Sequence, residues 1–433
     1  MKEYLSHHDT AFKIIEIYDN NPSKADEILS EQFFITLNKR PFQTICQFIF
    51  LTVLRNKFLI ERTIELLSAK KPRKKLYCVL KTALAEILIT ETKQHPKVIH
   101  SWVEYTKKAF SIGESKFVNA LLRKSFEKIQ DLKNSSDLSV AYSMPNWLVQ
   151  RWISTFGKEQ TIEILKICNL PSEVFFRQSP TDDAKKIFES VSKYFKNSDF
   201  ENFYILKSGN WQNVKHLINT KHFYIQDPST SFAVDKFKPE CSKKYLDLCA
   251  SPGGKSRIIA DFILKNSSNN RDKLQETLLV SIDVKDRIQK LKQNLSHIDF
   301  ITSKVIECDL LKENLDEKLI KENLPIEFDG VFIDAPCSNT GVLRRKPDAR
   351  YRINENDINQ CKKIQAELLQ KYSNFVKTSG ILVFSTCSID KVENEDNIEL
   401  FLKNNPNFEI LYSHTYLPTL QSDGCGCFIM RKK

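Results

Sequence analysis

The chain has 433 residues and a formal net charge of +11, from 65 Lys and Arg against 54 Asp and Glu. This length allows about two or three domains with cores of their own. No apolar run approaches a membrane span, and the opening MKEYLSHHDT lacks the apolar part of a secretion signal, so we expect a cytoplasmic protein without a membrane partner. The eleven cysteines are scattered, and Cys425 and Cys427 form an isolated C-x-C pair, so we expect reduced thiols and no metal site.

The first third of the sequence has the apolar spacing of helices, which predicts an all-helical domain over residues 1–135. Apolar residues recur at helical intervals in four segments, 42–54, 76–89, 98–110 and 117–129. Residues 1–140 contain 23 Lys and Arg against 16 Asp and Glu, hence +7, which suits either a nucleic-acid partner or a well-solvated surface. A basic run that can contact phosphates comprises Lys70, Lys71, Arg73, Lys74 and Lys75.

A polar segment at residues 131–141, DLKNSSDLSVA, has the composition of a linker. Beyond it, short strand-like segments at 173–176 and 203–206 alternate with helical ones. We therefore predict a small α+β connector over residues 142–230. The segment IQDPSTS, which begins at Ile225, leads into the last part of the chain.

In residues 231–433, strands and helices alternate from Tyr245 onward, which predicts a mainly parallel, doubly wound α/β sheet. Four predicted strands end in polar or thiol side chains, namely Asp283, Asp309, Asp334, and Thr386 with Cys387. Because the carboxyl ends of parallel strands meet at one edge of a sheet, we expect these residues to line one site. Each aspartate alone is more commonly a helix N-cap.

The stretch YLDLCASPGGKSRIIA at residues 245–260 reads as a strand, a tight turn and a helix. The glycines allow a close approach of backbone to ligand, and the free N–H groups of the helix start favour a carboxylate or phosphate. The turn is not the G-x-G-x-x-G of the dinucleotide folds. The candidate cofactor-binding residues are Cys249, Ala250, Ser251, Pro252, Gly253, Gly254 and Lys255 of this turn, together with Asp283, Asp309 and Asp334 at the strand ends.

These features together suit S-adenosylmethionine as the cofactor. Its amino-acid carboxylate would lie on the glycine turn, Asp283 would accept hydrogen bonds from the ribose hydroxyls, and Asp309 would accept one from the adenine amine. A nicotinamide dinucleotide site would use the same carboxylates but requires a third glycine, which this turn lacks.

Two cysteines lie at strand-to-loop transitions on the same predicted edge. Cys337 stands in DAPCS after Asp334, and Cys387 stands in STCSI just past its own strand. Such a thiol can be a nucleophile when nearby positive charge lowers its pKa. The other reading of a cysteine, a small buried apolar residue, suits Cys46, Cys78, Cys168 and Cys308.

Three stretches, LDLCASPGGK, FDGVFIDAPCSNTGVLRRKPDARYR and FSTCSIDKVENEDNI, resemble the defining motifs of the Sun (Nop2/Sun) family of RNA cytosine-5 methyltransferases. The helical first third, with KTALAEIL and FVNALLRKSFEK, resembles the NusB-like RNA-binding domain of its bacterial branch that methylates small-subunit ribosomal RNA. The resemblance implies a Rossmann-like methyltransferase domain. Ser251 and Lys346 replace residues that are usual in the family, an alanine and a histidine, which concerns the fit of the substrate rather than the chemistry.

The resemblance also implies the roles of three catalytic residues. Cys387 would be the thiolate that adds to C6 of cytosine, Asp334, with a pKa raised by burial, would donate a proton or hydrogen bond at N3, and Cys337 would assist release. Position on the sheet edge alone allows the two cysteines to exchange roles. Basic residues that follow Cys337 and can hold flanking phosphates are Arg344, Arg345, Lys346, Arg350 and Arg352.

The leading hypothesis is therefore S-adenosylmethionine-dependent methylation of C5 of a cytosine in small-subunit ribosomal RNA by a monomer. The same chemistry on transfer RNA or another RNA is a second hypothesis, and a non-catalytic RNA-binding or ribosome-assembly factor is a third. A pure binding protein has no physical need for Cys337, Cys387 and Asp334 together. DNA is disfavoured as a partner, because both cysteine motifs have the arrangement of the RNA enzymes.

Overall fold

The computed structural model describes residues 7–35, 40–267 and 270–433 and divides into two compact units. One unit runs to Leu170 and also takes in Leu343–Arg352, and the other comprises Pro171–Val342 and Ile353–Lys433. Within the described residues, no helix is both long and apolar enough to cross a membrane.

The first unit is all-helical, and its helices pack around an apolar core that includes Phe50, Leu84 and the fully buried Trp102. Local side-chain capping marks the start of the seventh helix. The Ser111 side chain accepts a hydrogen bond from Glu114 N–H at 3.2 Å and so caps this helix. Helices α1–α10 are His7–Asn20, Ala25–Ile35, Arg40–Arg55, Lys57–Leu67, Lys74–Ile89, His95–Ala109, Ile112–Lys133, Leu138–Ala141, Asn146–Phe156 and Lys158–Asn169.

The boundary of this unit lies later than the predicted linker at residues 131–141. Helices α8–α10 pack with the preceding helices, where Ser143 Oγ accepts a hydrogen bond from Leu59 N–H at 3.1 Å and Trp152 is buried. Residues 142–170, which we predicted as part of the connector, are therefore grouped with the helical unit.

The second unit begins with a small antiparallel sheet in the order β2-β3-β1-β4, as expected for an α+β connector. Its strands are Phe175–Gln178 (β1), Phe195–Asn197 (β2), Phe203–Leu206 (β3) and Phe223–Ile225 (β4). Helices α11 (Asp182–Val191) and α12 (Trp211–Val214) connect them.

The main sheet has seven strands in the order β10-β11-β9-β8-β5-β6-β7. Strands β9, β8, β5, β6 and β7 run parallel, and β11 and β10 complete the sheet antiparallel at one side. These strands are Lys244–Leu248 (β5), Leu278–Asp283 (β6), Thr302–Glu307 (β7), Phe328–Asp334 (β8), Val376–Thr386 (β9), Phe408–Tyr416 (β10) and Cys425–Lys432 (β11). The predicted doubly wound α/β domain is confirmed.

The central strands of this sheet are buried on both faces, which explains why they read as continuous apolar runs. Leu246 and Leu248 pack in one core, whereas Tyr245 packs in the core on the other face. Cys425 and Cys427 are buried in β11. Helices α13–α20 are Phe232–Phe237, Gly254–Asn266, Arg271–Gln275, Lys285–Leu295, Leu315–Lys321, Ala349–Arg352, Glu355–Tyr372 and Glu395–Asn404, of which α18, Ala349–Arg352, belongs to the helical unit.

Candidate active site

The register of the parallel strands brings the predicted site residues to one edge of the main sheet. Leu248 at the end of β5 pairs with Ile282 of β6 and with Ile333 of β8. Asp334 at the end of β8 pairs with Ser385 of β9. The glycine turn, the acidic strand ends and both cysteine loops therefore leave the sheet on the same side.

The glycine turn connects β5 to α14 through backbone conformations that favour glycine. Gly253 has a φ of +100°, in the left-handed region, and α14 begins at Gly254. A Cβ atom at Gly254 would lie 2.8 Å from Gln226 Nε2, so a side chain here would displace the end of the Gln226 side chain. The buried Gln226 Nε2 has no hydrogen-bond partner among the described residues and adds an amide donor beside the helix start.

Asp283 fixes this turn as well as standing at the end of β6. Its carboxylate is buried and accepts hydrogen bonds from Ser251 N–H at 2.7 Å and Val284 N–H at 2.8 Å. A carboxylate offers about four acceptor positions, so capacity remains for the hydroxyls of a ribose. The sequence predicted the contact with the ribose but not the hydrogen bonds that hold the glycine turn.

Asp309 contacts its own turn rather than the other site residues. Its carboxylate accepts a hydrogen bond from Leu311 N–H at 3.2 Å and lies 3.2 Å from Lys312 Nζ. This arrangement is the turn-capping role that is common for a strand-end aspartate.

Asp334 forms an ion pair with a residue of the glycine turn. Lys255 Nζ lies 2.6 Å from Asp334 Oδ1, and Ser385 Oγ donates to the same oxygen at 3.3 Å. Although burial disfavours the Lys255 ammonium, the Asp334 carboxylate raises the pKa of Lys255 above its ordinary value. The Asp334 side chain is 33% exposed, so the burial that we expected for this carboxyl is incomplete.

The two cysteines predicted as catalytic lie in contact. Cys337 Sγ and Cys387 Sγ are 2.9 Å apart, and Cys387 Sγ also donates to Asn339 Oδ1 at 3.2 Å. The hydrogen bond to Cys387 and then burial raise the pKa of the Cys337 thiol well above its ordinary value. Gly341 allows the loop after Cys337 to approach closely, because a Cβ atom there would lie 2.2 Å from the Gly424 carbonyl oxygen.

Glu393 is a site residue that the sequence reasoning did not single out. It is fully buried and accepts hydrogen bonds from Ser338 N–H at 2.8 Å and Ser388 Oγ at 2.5 Å, as well as from Ser338 Oγ. These serines directly follow Cys337 and Cys387. The signal in the sequence is an acidic residue six positions after Cys387, within the stretch FSTCSIDKVENEDNI.

Arg350, one of the basic residues after Cys337, is not available for the phosphate contact that we predicted. Arg350 is fully buried in the helical unit and donates to Asn169 Oδ1 at 2.7 Å and to the Cys168 carbonyl at 2.9 Å. Arg352 pairs with Asp348 at 2.7 Å. Arg350 is therefore a structural residue, while Lys346 is exposed and stays a candidate for phosphate contact.

The site fits S-adenosylmethionine in the chemistry of its groups. The N–H groups at the start of α14, Gln226 Nε2 and the space over Gly254 suit an amino-acid carboxylate. The remaining acceptor positions of Asp283 suit vicinal hydroxyls.

Comparisons with known proteins agree with this geometry. A family model described as 16S rRNA methyltransferase RsmB/F matches residues 235–425, and the NusB family model matches residues 7–127. The probable ribosomal RNA small subunit methyltransferase B of Bacillus subtilis is 28% identical over 375 residues, which cover 82% of this chain and 79% of that protein. The ribosomal RNA small subunit methyltransferase B of Proteus mirabilis is 26% identical over 373 residues, which cover 83% and 82%.

The fold is also similar to that of a solved structure. The crystal structure of PH0851 aligns over 100% of both chains with a TM-score of 0.72 and 20% identity, which shows a shared fold. Residues 235–425 therefore form an S-adenosylmethionine-dependent methyltransferase domain of the RsmB/F family, and residues 7–127 form a domain of the NusB family.

Proposed function

We propose that this protein methylates C5 of a cytosine in small-subunit ribosomal RNA through a covalent bond between Cys387 and C6 of the base. The observation that carries the proposal is the pair of thiols 2.9 Å apart on the sheet edge that also holds the glycine turn. The names of the Bacillus and Proteus relatives, both ribosomal RNA small subunit methyltransferases, support the choice of substrate.

A paired thiol suits this reaction because C5 of cytosine is too weak a nucleophile to attack a methyl sulfonium directly. Addition of the Cys387 thiolate forms the C6–Sγ bond and moves the electrons of the C5–C6 double bond toward N3, which takes up a proton. C5 is then an enamine carbon that can attack the methyl group supplied by S-adenosylmethionine. Transfer of the C5 proton to a base re-forms the C5–C6 double bond and cleaves the C6–Sγ bond, which returns Cys387 as a thiolate, and N3 gives up the proton that it had taken up.

The contact between the thiols supports a division of roles. Because the pKa of Cys337 is raised well above its ordinary value, Cys337 stays a protonated thiol when Cys387 is the thiolate. At 2.9 Å, the Cys337 S–H can donate a hydrogen bond to Cys387 Sγ and stabilise it as the leaving group. The resemblance of their motifs to those of the family assigns Cys387 as the nucleophile, with Cys337 assisting release.

The remaining residues hold the cofactor and the base. We assign the cofactor to Cys249–Lys255, Asp283 and Asp309, with Asp334 at the base, where it can hold the N3 proton by a hydrogen bond. Lys255, 2.6 Å from Asp334, links the cofactor turn to this carboxylate. The target cytosine must be unpaired or flipped out to reach the thiols.

The helical domain binds the RNA through its exposed basic run, which includes Lys74 and Lys75. The protein acts as a monomer, and its substrate is ribosomal RNA that is unassembled or partly assembled.

The test is methyl transfer from labelled S-adenosylmethionine to purified small-subunit ribosomal RNA, with transfer RNA and DNA as competing substrates. Bisulfite sequencing of the product would locate the modified base. We expect one ribosomal cytosine to gain a methyl group, and no reaction with Cys387→Ala. Methylation of transfer RNA in preference to ribosomal RNA would overturn the substrate, and a modified base other than cytosine would overturn the chemistry.

A further inference from the structure

The carboxylate of Glu393 joins the loops that carry the two thiols. Its Oε1 accepts from Ser338 N–H at 2.8 Å and its Oε2 accepts from Ser388 Oγ at 2.5 Å, so one side chain holds the residue after Cys337 and the residue after Cys387. Thr340 Oγ1 lies 2.8 Å from Ser388 Oγ and adds a direct link between the loops. These contacts join parts of the chain 55 residues apart in sequence.

A second set of hydrogen bonds fixes Glu393 from the side of α19. Gln365 Nε2 donates to Glu393 Oε1 at 3.0 Å and to the Pro336 carbonyl at 2.9 Å, and Asn397 Nδ2 donates to Gln365 Oε1 at 2.8 Å. Pro336 directly precedes Cys337. The peptide segment on both sides of Cys337 is therefore held by the same buried network.

The donors to this carboxylate are hydroxyl, amide and backbone groups, so it is a buried acid held by neutral partners. Burying a carboxylate costs free energy that a neutral side chain of similar shape would avoid. What the carboxylate offers in return is two oxygens that accept several hydrogen bonds at once, which is the geometry needed to join two loops.

We propose that Glu393 is the positioning residue that holds Cys337 and Cys387 in contact, so that addition and release occur at adjacent sulfur atoms. The catalytic role of this positioning rests on the proposed function, whereas the contact between the two sulfur atoms can be measured in the protein without RNA. Glu393 acts through the two cysteine loops.

Diamide, a mild thiol oxidant, reports on the positioning without any RNA. It oxidises two thiols to a disulfide and takes up the two hydrogens as a hydrazine, and peptide mass spectrometry after alkylation identifies the Cys337–Cys387 product. In the full-length protein we expect rapid formation of this disulfide. In Glu393→Ala we expect a rate at least about tenfold lower, because a displacement of about 1 Å is enough to disrupt a reacting pair.

Glu393→Gln keeps one acceptor oxygen and the shape of the side chain, and it is expected to restore most of the rate. Glu395→Ala is the matched control two residues further on, at the start of α20, because Glu395 accepts from Thr415 Oγ1 at 2.6 Å and belongs to neither cysteine loop. Its rate should equal that of the unaltered protein. Cofactor affinity, measured by calorimetry, should stay within about twofold in all of these variants if the glycine turn is intact.

Methyl transfer supplies the second readout, with kcat reduced in Glu393→Ala, restored in part in Glu393→Gln, and KM for S-adenosylmethionine unchanged. Should Glu393→Ala fail to fold, Gln365→Ala removes one supporting donor and should slow disulfide formation in a folded protein. A rate of disulfide formation equal to that of the unaltered protein in a folded Glu393→Ala or Gln365→Ala would overturn the inference. If the unaltered protein methylates no RNA, the proposed function fails while the diamide result still decides the positioning.

Discussion

Cys337 Sγ lies 2.9 Å from Cys387 Sγ because their strands, β8 and β9, are parallel neighbours. Asp334 and Ser385 are paired in the sheet, and Cys337 and Cys387 follow these paired residues by three and two positions. Two thiols that are 50 residues apart in sequence therefore lie in contact at one edge of the sheet.

The first prediction separates the roles of these thiols. Cys337→Ala should still add to the base and methylate it but release it slowly, because the leaving sulfur loses a hydrogen-bond donor. A protein–RNA adduct stable to denaturing electrophoresis should accumulate in Cys337→Ala and be absent from Cys387→Ala and the double variant. Accumulation in Cys387→Ala instead would show that the roles are exchanged.

A second prediction concerns cofactor binding at Asp283. Asp283→Ala should weaken S-adenosylmethionine binding by about tenfold or more, since a charge-assisted hydrogen bond contributes roughly 1.5–3 kcal/mol. The variant also loses the acceptor for Ser251 N–H in the glycine turn. Calorimetry measures the affinity, and Asp286→Ala, an exposed neighbour on α16, is the control. Unchanged affinity in folded Asp283→Ala would remove Asp283 from the site.

RNA binding by the helical unit can be tested without truncation. Tyr351 Oη donates to the Leu54 carbonyl at 2.7 Å, so deletion of residues 1–135 would strip partners from the Leu343–Arg352 segment. Substituting exposed Lys74 and Lys75 by Gln should instead weaken RNA binding and reduce its salt dependence by about one counterion per lost phosphate contact. The matched double substitution of exposed Lys185 and Lys186 in the second unit should have no such effect. Equal salt slopes for the two double variants would contradict a phosphate-binding role for this run.

Arg350 should matter for stability. Replacing Arg350 by Ala removes hydrogen bonds to Asn169 Oδ1 and the Cys168 carbonyl and leaves buried acceptors unpaired. We expect the free energy of unfolding to fall by about 3 kcal/mol or more in urea titrations. Lys346→Ala, at an exposed position in the same segment, should change the free energy of unfolding by no more than about 0.5 kcal/mol. A fully stable Arg350→Ala would show that the arginine is dispensable for the helical unit.

The last prediction concerns the pH dependence of stability at Glu393. Burial raises the pKa of Glu393 above the 4.5 of an exposed glutamate. The contribution of Glu393 to stability is therefore fully present below pH 4.5 and is lost as the pH rises through the raised value. Compared with Glu393→Gln, the unaltered protein should be relatively most stable in acid and lose that advantage toward neutral pH. Urea titrations at several pH values measure the difference, and a constant difference would contradict a titrating Glu393.

The sequence by itself determined the helical first domain, the parallel α/β sheet and the position of the glycine turn. These features follow from local spacing, because an apolar period, a strand-turn-helix stretch and a polar strand end are each visible within a few residues. Parallel strands share one edge for their carboxyl ends, so the meeting of Asp283, Asp334, Cys337 and Cys387 was also predictable.

The contacts of each buried or charged group depend on the three-dimensional fold and could not be predicted from local sequence. Arg350 reads as one of several basic residues near a cysteine motif, yet its guanidinium is enclosed by residues about 180 positions away in sequence. Glu393 reads as one acid among several, yet it joins two loops. A charged side chain in sequence can be solvated, paired or buried, and the choice depends on long-range partners that set its hydrogen bonds and exposure.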